Sequence, residues 1–227
     1  MFSLKLERIA SYLGYEKKQL IEKAVPYKTR KYQFDLVNFN IQSGDAVLDI
    51  GSGAHPFKYG TVQLDLYHED NFHRGGTALT RDARPNIVAD IENMPFTDNQ
   101  FDFAYCSHVL EHVPNPAKAC TEIMRVAKRG YIETPTRLSD IMSDITYLHT
   151  WHVSMIGTSL VFIPYSEREK KGTGVKAFEA QMHSPYQNDF SSMVYGNRDL
   201  FCNMMLWEDR FDYFVFDHKG NLVDSSK

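Results

Sequence analysis

Residues 47–57 read VLDIGSGAHPF: an apolar run carrying Asp49, then Gly51-Ser52-Gly53-Ala54, then His55-Pro56 where a nucleotide-binding fold normally enters a helix. A buried strand that ends here and is followed by two glycines presents backbone N–H groups at the carboxyl edge of a sheet. The missing Cβ atoms let a ligand approach the main chain closely. A GxG spacing is weak on its own. Asp65 sharpens it, because it closes the next apolar run, VQLD, where a carboxylate can accept from both hydroxyls of a ribose. Two strand ends thus point at a nucleoside.

The third glycine of a dinucleotide fingerprint is absent, and Ala54 to Gly60 is too short for a helix whose N-terminus would receive a pyrophosphate. This argues against a nicotinamide dehydrogenase. It fits a nucleoside ligand without phosphate, such as S-adenosylmethionine, whose amino-acid tail needs only a close backbone contact. Further along, VADIENMPFTDNQFDFAYCSHVLEHV supplies a third strand end at Asp90 and Ile91 and a fourth at Ser107 and His108. Asp90 is placed to accept from an adenine amino group, with Ile91 and Met94 packing on the ring.

The chain has 227 residues, enough for one sizeable core, and is 43% hydrophobic and 24% charged with a net charge of -4. Such a surface offers nothing to attract nucleic acid phosphates. Cys106, Cys120 and Cys202 are an odd number without CxxC spacing, so a reducing, cytoplasmic setting is expected, with no disulfide framework. No window approaches the roughly 18 apolar residues of a membrane span.

Short apolar runs at 46–50, 61–64, 87–89, 101–106 and 130–133, with a helical pattern over Pro116 to Val126, predict an α/β fold with a parallel, doubly wound sheet. Helical spacing also covers residues 2–24 and 32–39. After Thr134 the pattern predicts a hairpin from Trp151–Met155 and Thr158–Ile163, a polar mobile loop from Tyr165 to Gly174, and a late strand over Phe211–Asp217.

Taken in order, these motifs resemble the class I S-adenosylmethionine-dependent methyltransferases of the type 11 kind: VLDIGSG their first motif, VQLDLY the ribose acid, ADIENMPF the adenine contact, and FDFAYCSHVLEHVPNP the fourth strand and following helix. The resemblance implies a Rossmann-like seven-stranded sheet, parallel except for one strand, with helices on both faces, and S-adenosyl-L-methionine converted to S-adenosyl-L-homocysteine. It assigns Gly51, Gly53 and Ala54 to the methionine moiety, Asp65 to ribose, and Asp90 with Ile91 to adenine, with Asp49 acting on the ammonium group. Ser52, Leu66, Ser107 and His108 complete the expected cofactor site. The short turn at His55-Pro56 departs from the family's first crossover helix.

One domain is expected over 1–227: N-terminal helices in 1–43, a cofactor half in 44–135 and an acceptor half in 136–227. GSGAHPF, DLYHEDNFHR and RGYIETPT resemble a subgroup linked with glycan assembly, implying a sugar hydroxyl as acceptor. The alternatives are a small lipid-like or aromatic metabolite methylated on oxygen or nitrogen, and a catalytically inert cofactor-binding subunit.

A hydroxyl acceptor must lose a proton, and the imidazoles on the expected acceptor side are His108, His112, His149 and His152. His112, next to Glu111, and His152, next to Trp151, are the candidate catalytic residues; Glu133 and Asp140 are weaker ones, since Glu133 can simply end the fifth strand. Asp140, His149 and His152 match no metal-ligand spacing, so no metal is expected. Tyr12, Tyr15, Tyr27 and Tyr32 read as core aromatics rather than as a cap on the acceptor pocket.

Overall fold

The computed structural model describes residues 31–67, 69, 78–80, 82–171, 193–194 and 196–227. The expected helix over 2–24, and Tyr12, Tyr15 and Tyr27 with it, lie outside these. The helix expected over 32–39 is the short Lys31–Leu36.

A six-stranded sheet forms the centre: β1 (Val47–Ile50), β2 (Val62–Asp65), β3 (Asn86–Val88), β4 (Phe103–Ser107), β5 (Arg129–Pro135) and β8 (Cys202–Glu208), in the spatial order β3-β2-β1-β4-β5-β8. The first five run parallel and β8 pairs antiparallel to β5. β1 and β4 are buried at every position, the mark of parallel strands covered on both faces. The chain is thus the expected Rossmann-like α/β fold.

One face of the sheet carries the helix Pro116–Val126. Its start follows from the sequence: Asn115 caps it by accepting from the Lys118 N–H at 3.1 Å, and Pro116 occupies the first turn, where no backbone donor is needed. Ala117, Cys120, Ile123 and Val126 point inward with Leu48, Leu64, Ala104 and Ile132. The opposite face is an aromatic cluster of Phe39, Val47, Phe57, Phe103, Tyr105 and Tyr131.

The strand count differs from the expected seven. The late strand forms, as β9 (Asp212–Phe216), but pairs with β7 (Ser159–Pro164) instead of the central sheet. Together with β6 (Trp151–Ile156) and β10 (Leu222–Ser225) it makes a second, four-stranded sheet in the order β10-β9-β7-β6. The redirection occurs at Asp209, whose φ of 58° turns the chain sharply after β8. Val153, Leu160, Phe162, Tyr213 and Val215 of this second sheet join the cluster around Leu48 and Ile123, so both sheets share one core.

Two loops bear on the site. Between β1 and β2 no helix forms. Phe57 ends the turn instead, its N–H donating to Asp49 Oδ2 at 2.7 Å and its ring stacked on Tyr105 at 3.9 Å between centroids. His55-Pro56 is therefore the approach to an aromatic anchor, which holds the glycine loop in place of a helix. From Tyr165 to Lys171 the segment is also not the free loop expected, residues 172–174 of that loop lying outside the described ones. Tyr165 is buried and donates to Asp140 Oδ2 at 2.7 Å, and Thr146 Oγ1 donates to the Glu169 carbonyl at 2.7 Å. A charge run conceals these anchors because Tyr165 precedes it and the bonds reach across the chain.

Phe57→Ala removes a ring that is 3% exposed, and the expected loss of stability is about 3–5 kcal/mol. Chemical denaturation of the two proteins checks it; a loss under about 1 kcal/mol would show that the loop stands without its anchor.

Candidate active site at the carboxyl edge

The strand ends expected to form the site do converge. Gly51 (φ 67°) and Gly53 (φ 54°) lie in the left-handed region open to glycine. A Cβ on Gly51 would stand 2.4 Å from Val109 Cγ2, which places the loop after β1 directly against the turn after β4. Asp65, at the end of β2, accepts from the Gly53 N–H at 3.1 Å and from the Tyr67 N–H at 3.1 Å, so Asp65 and the glycine loop are one unit. Thr80 lies over this unit, its N–H donating to Gly53 O at 3.0 Å and its hydroxyl to Ala54 O at 2.9 Å. Ser52 Oγ is buried and finds no hydrogen-bond partner among the described residues. A backbone cradle with an orphaned hydroxyl and a carboxylate at its mouth suits a nucleoside with a polar amino-acid tail.

Other expected contacts are already engaged within the protein. Asp90 Oδ1 accepts from the Glu92 N–H at 2.9 Å and shapes its own turn. Ile91 and Met94 are core residues, 6% and 4% exposed. Leu66 is exposed. Ser107 Oγ accepts from Gln33 Nε2 at 3.3 Å, and His108, with a φ of 58°, turns its ring to Glu133.

Glu133 is the hub of this edge. It is fully buried, and its carboxylate accepts from the Tyr32 hydroxyl, the Tyr131 hydroxyl at 2.5 Å, Gln33 Nε2 at 2.9 Å and His108 Nε2 at 2.9 Å. Burial alone would raise its pKa, but the His108 hydrogen bond and charge, with the two phenols, bring it down to about 2. For His108, burial works against the charged ring, and the neighbouring Cys202, Glu111 and Glu133 outweigh it, raising the pKa well above 6.5. The Tyr32 and Tyr131 hydroxyls are pushed up, first by burial and then by the adjacent carboxylate. Arg198 closes the group, its guanidinium 3.9 Å from the Tyr32 ring centroid and Nη2 3.0 Å from Cys202 Sγ.

A second polar group adjoins it. Glu111, 1% exposed, has its Oε1 3.4 Å from His108 Nδ1 and 3.9 Å from His112 Nε2. The N–H groups of Thr150 and Trp151 donate to the Glu111 carbonyl at 2.8 and 3.0 Å, which brings His149 alongside. The His112 and His149 rings lie 4.7 Å apart, and His149 Nδ1 meets Asp140 Oδ2 at 2.8 Å. Of the two candidate catalytic histidines, His112 therefore belongs to this group. His152 faces elsewhere, its Nε2 2.9 Å from Ser154 Oγ, with a pKa lowered by burial and by Arg137.

Sequence reasoning left out Gln33, Tyr131, Arg198 and Cys202. Tyr131 had a signal, since it lies two residues before Glu133 and so on the same face of a strand. Nothing near Gln33, Arg198 or Cys202 in the sequence marks them.

Fold and site define a Rossmann-like α/β domain with a polar crevice at the carboxyl edge of its sheet. Residues 48–132 match the family described as methyltransferase domain. The chain is 33% identical over 109 residues to a demethylmenaquinone methyltransferase of Paenarthrobacter aurescens, covering 45% of this chain and 43% of that one. It is 35% identical over 98 residues to an uncharacterized methyltransferase of Mycobacterium tuberculosis, covering 38% and 37%. The chain thus spans less than half the length of these curated relatives. A solved S-adenosylmethionine-dependent methyltransferase from Methanosarcina mazei is 19% identical, covers 52% of this chain and 69% of its own, and superposes with a TM-score of 0.34. Residues 48–132, which hold the glycine loop and the strand-end acids, are thus similar in sequence to methyltransferase domains.

The ion pair between His108 and Glu133 has a pH signature. A pKa raised above 6.5 in the fold means stabilisation that is complete below pH 6.5 and lost as pH rises through the folded-state value. Glu133, lowered from 4.5 to about 2, contributes above pH 4.5 and loses that contribution as pH falls toward 2. His108→Gln should therefore lower stability by about 1–2 kcal/mol near pH 6, the low end for a buried pair because the ring is partly exposed. The deficit should shrink in alkali; denaturation at several pH values reads it, and a pH-independent deficit would mean that the pair carries no charge.

Proposed function

We propose that this protein is an S-adenosylmethionine-dependent methyltransferase whose acceptor is a hydroxyl of a polyhydroxylated compound, a sugar on a glycan or glycan precursor. The observation that carries the acceptor class is the chemistry of the edge beyond the cofactor cradle. Glu111, His112 and His149 come together there, and polar groups of this kind recognise hydroxyls by hydrogen bonds rather than grease by contact.

The Gly51–Ala54 backbone, Ser52 Oγ and Asp65 are the groups of this chain that would hold the cofactor, which supplies an electrophilic methyl on a sulfonium. Asp49 braces the loop through Phe57. The chain's remaining task is to hold an acceptor oxygen in line and dispose of its proton, and orientation of this kind supplies much of the acceleration of a displacement. Glu111, His112 and His149 are the groups placed for that oxygen. The expected single-domain organisation fits this division of labour, with the cofactor half and acceptor half sharing one core.

A second reading has its own support. Two of the relatives matched over less than half their length are named demethylmenaquinone methyltransferases, which favours a quinol-like, lipid-related acceptor.

Calorimetry should show S-adenosylmethionine and S-adenosylhomocysteine binding, weakened at least about 10-fold in Asp65→Ala by loss of the ribose contact, with no binding of NADH. Labelled methyl transfer to a panel of free sugars, glycosides and short-chain quinols then separates the acceptors. Turnover on quinols alone would overturn the sugar reading, and cofactor binding without turnover on any acceptor would favour an inert subunit.

A further inference from the structure

We propose that Glu111, His112 and His149 form a divalent transition-metal site, with zinc the best fit, on the acceptor side of the cofactor cradle. Each offers one ligand atom, and these atoms lie within 4.8 Å of one another. Ligands about 2.1 Å from an ion stand roughly 3–3.5 Å apart, so side-chain rotations of about 1 Å close the set.

The first argument is Glu111. It is 1% exposed, and neither carboxylate oxygen accepts a hydrogen bond among the described residues. Its nearest cation is His108 Nδ1 at 3.4 Å, a ring already engaged through Nε2 with Glu133, so the buried charge is only partly met. The contrast with Glu133, which shares His108 with it, is direct: that carboxylate has four donors and needs nothing more. Although His108, Glu133 and Cys202 also come within ligand distance of one another, the saturation of Glu133 counts against an ion there.

The second argument is how the imidazoles are held. His149 Nδ1 is engaged by Asp140 Oδ2 at 2.8 Å, and Tyr165 in turn holds Asp140. This fixes the ring and leaves Nε2 as the ligand atom, the carboxylate–histidine arrangement typical of metal sites. His112 Nδ1 lies 3.2 Å from the Leu148 carbonyl, while Nε2 faces Glu111. Two imidazoles and one carboxylate leave coordination positions open, which is the pattern of catalytic rather than structural zinc. His112 is then a metal ligand, not a base.

Resting on the reading above, the open positions are for the acceptor oxygen. An ion there would fix a hydroxyl and acidify it, as it acidifies bound water, with the proton released to solvent. The sequence concealed the site because proximity groups Asp140, His149 and His152, whereas the fold exchanges His152 for Glu111 and His112.

The test uses the full chain, stripped with chelator and titrated with Zn²⁺ and, for its visible absorption, Co²⁺. The expected result is about one ion per chain. Affinity should fall at least about 100-fold in His149→Ala and in the isosteric Glu111→Gln, and about 10–100-fold in Asp140→Asn. Cys202→Ser should bind within a few-fold of the unaltered protein. Circular dichroism and melting confirm that each variant is folded, and Glu111→Gln carries the test should His149→Ala fail to fold. Absence of Zn²⁺ and Co²⁺ uptake, uptake indifferent to both ligand substitutions, or loss tracking Cys202→Ser would each overturn the site. S-adenosylhomocysteine binding, measured in parallel, separates the two readings: metal uptake without it sinks the methyltransferase proposal and leaves the metal site standing.

Discussion

Glu133 holds the functional edge together. A carboxylate at the end of an inner parallel strand is removed from water on both sides, and an ion so placed is tolerable only if its lone pairs are filled and its charge met. Four donors do this, drawn from three parts of the chain: the helix before β1 gives Tyr32 and Gln33, β5 itself gives Tyr131, and the turn after β4 gives His108. Satisfying one charge thus fixes the N-terminal described helix against the sheet and forces His108 into a left-handed backbone conformation. That conformation in turn aims the following residues, Val109 to His112, along the edge.

The pairing has a consequence for Glu111. His108 is shared: its Nε2 is spent on Glu133 at 2.9 Å, and its Nδ1 reaches Glu111 only at 3.4 Å. One imidazole cannot fully serve two buried carboxylates, and the one with more donors wins. Glu111 is left with charge nearby and no hydrogen bond, its pKa lowered because burial is outweighed by His108, His112 and His149 around it. Structural carboxylates in folded proteins are seldom left so. The asymmetry between the two acids separates a residue that builds the site from one that the site presents.

Residues 44–135 were legible because their signals are local. Val47–Ile50 and Phe103–Ser107 are short apolar runs ended by glycines or polar groups, and the helix Pro116–Val126 announces itself through Asn115, Pro116 and its periodic apolar face, so its limits in the structure are those of the pattern. Residues 136–227 were not legible in the same way. β8 reads CNMMLWE, where Asn203 breaks the alternation because its side chain donates to Thr134 and to the Val153 carbonyl, tying the two sheets. β9 could be seen as a strand, but its partner could not, since pairing is decided by the turn at Asp209 and by apolar surface on the Pro116–Val126 helix left for a second sheet to cover. The histidines were visible as candidates. Which of them meet was not, because the Glu111 carbonyl recruits Thr150 and Trp151 through bonds spanning some forty residues of chain.

The position of the site follows from strand order alone. The chain reverses direction across the sheet between β1 and β4, and at such a switch point the loops after the two strands diverge and leave a crevice at their carboxyl ends. Here the loops are pressed together at one spot: Val109 fills the space that a side chain at residue 51 would need, so only glycine serves there. That contact makes the glycine loop and the Glu111–His112 turn neighbours, with Leu110, fully buried, pinning the turn to the core. Replacing the first crossover helix by the Phe57 anchor keeps the loop rigid without a helix terminus beside it. The crevice therefore carries no macrodipole built for phosphate on one side and a crowded set of acids and imidazoles on the other. The proposed ligands, a cationic donor and a hydroxylated acceptor, match this division of charge.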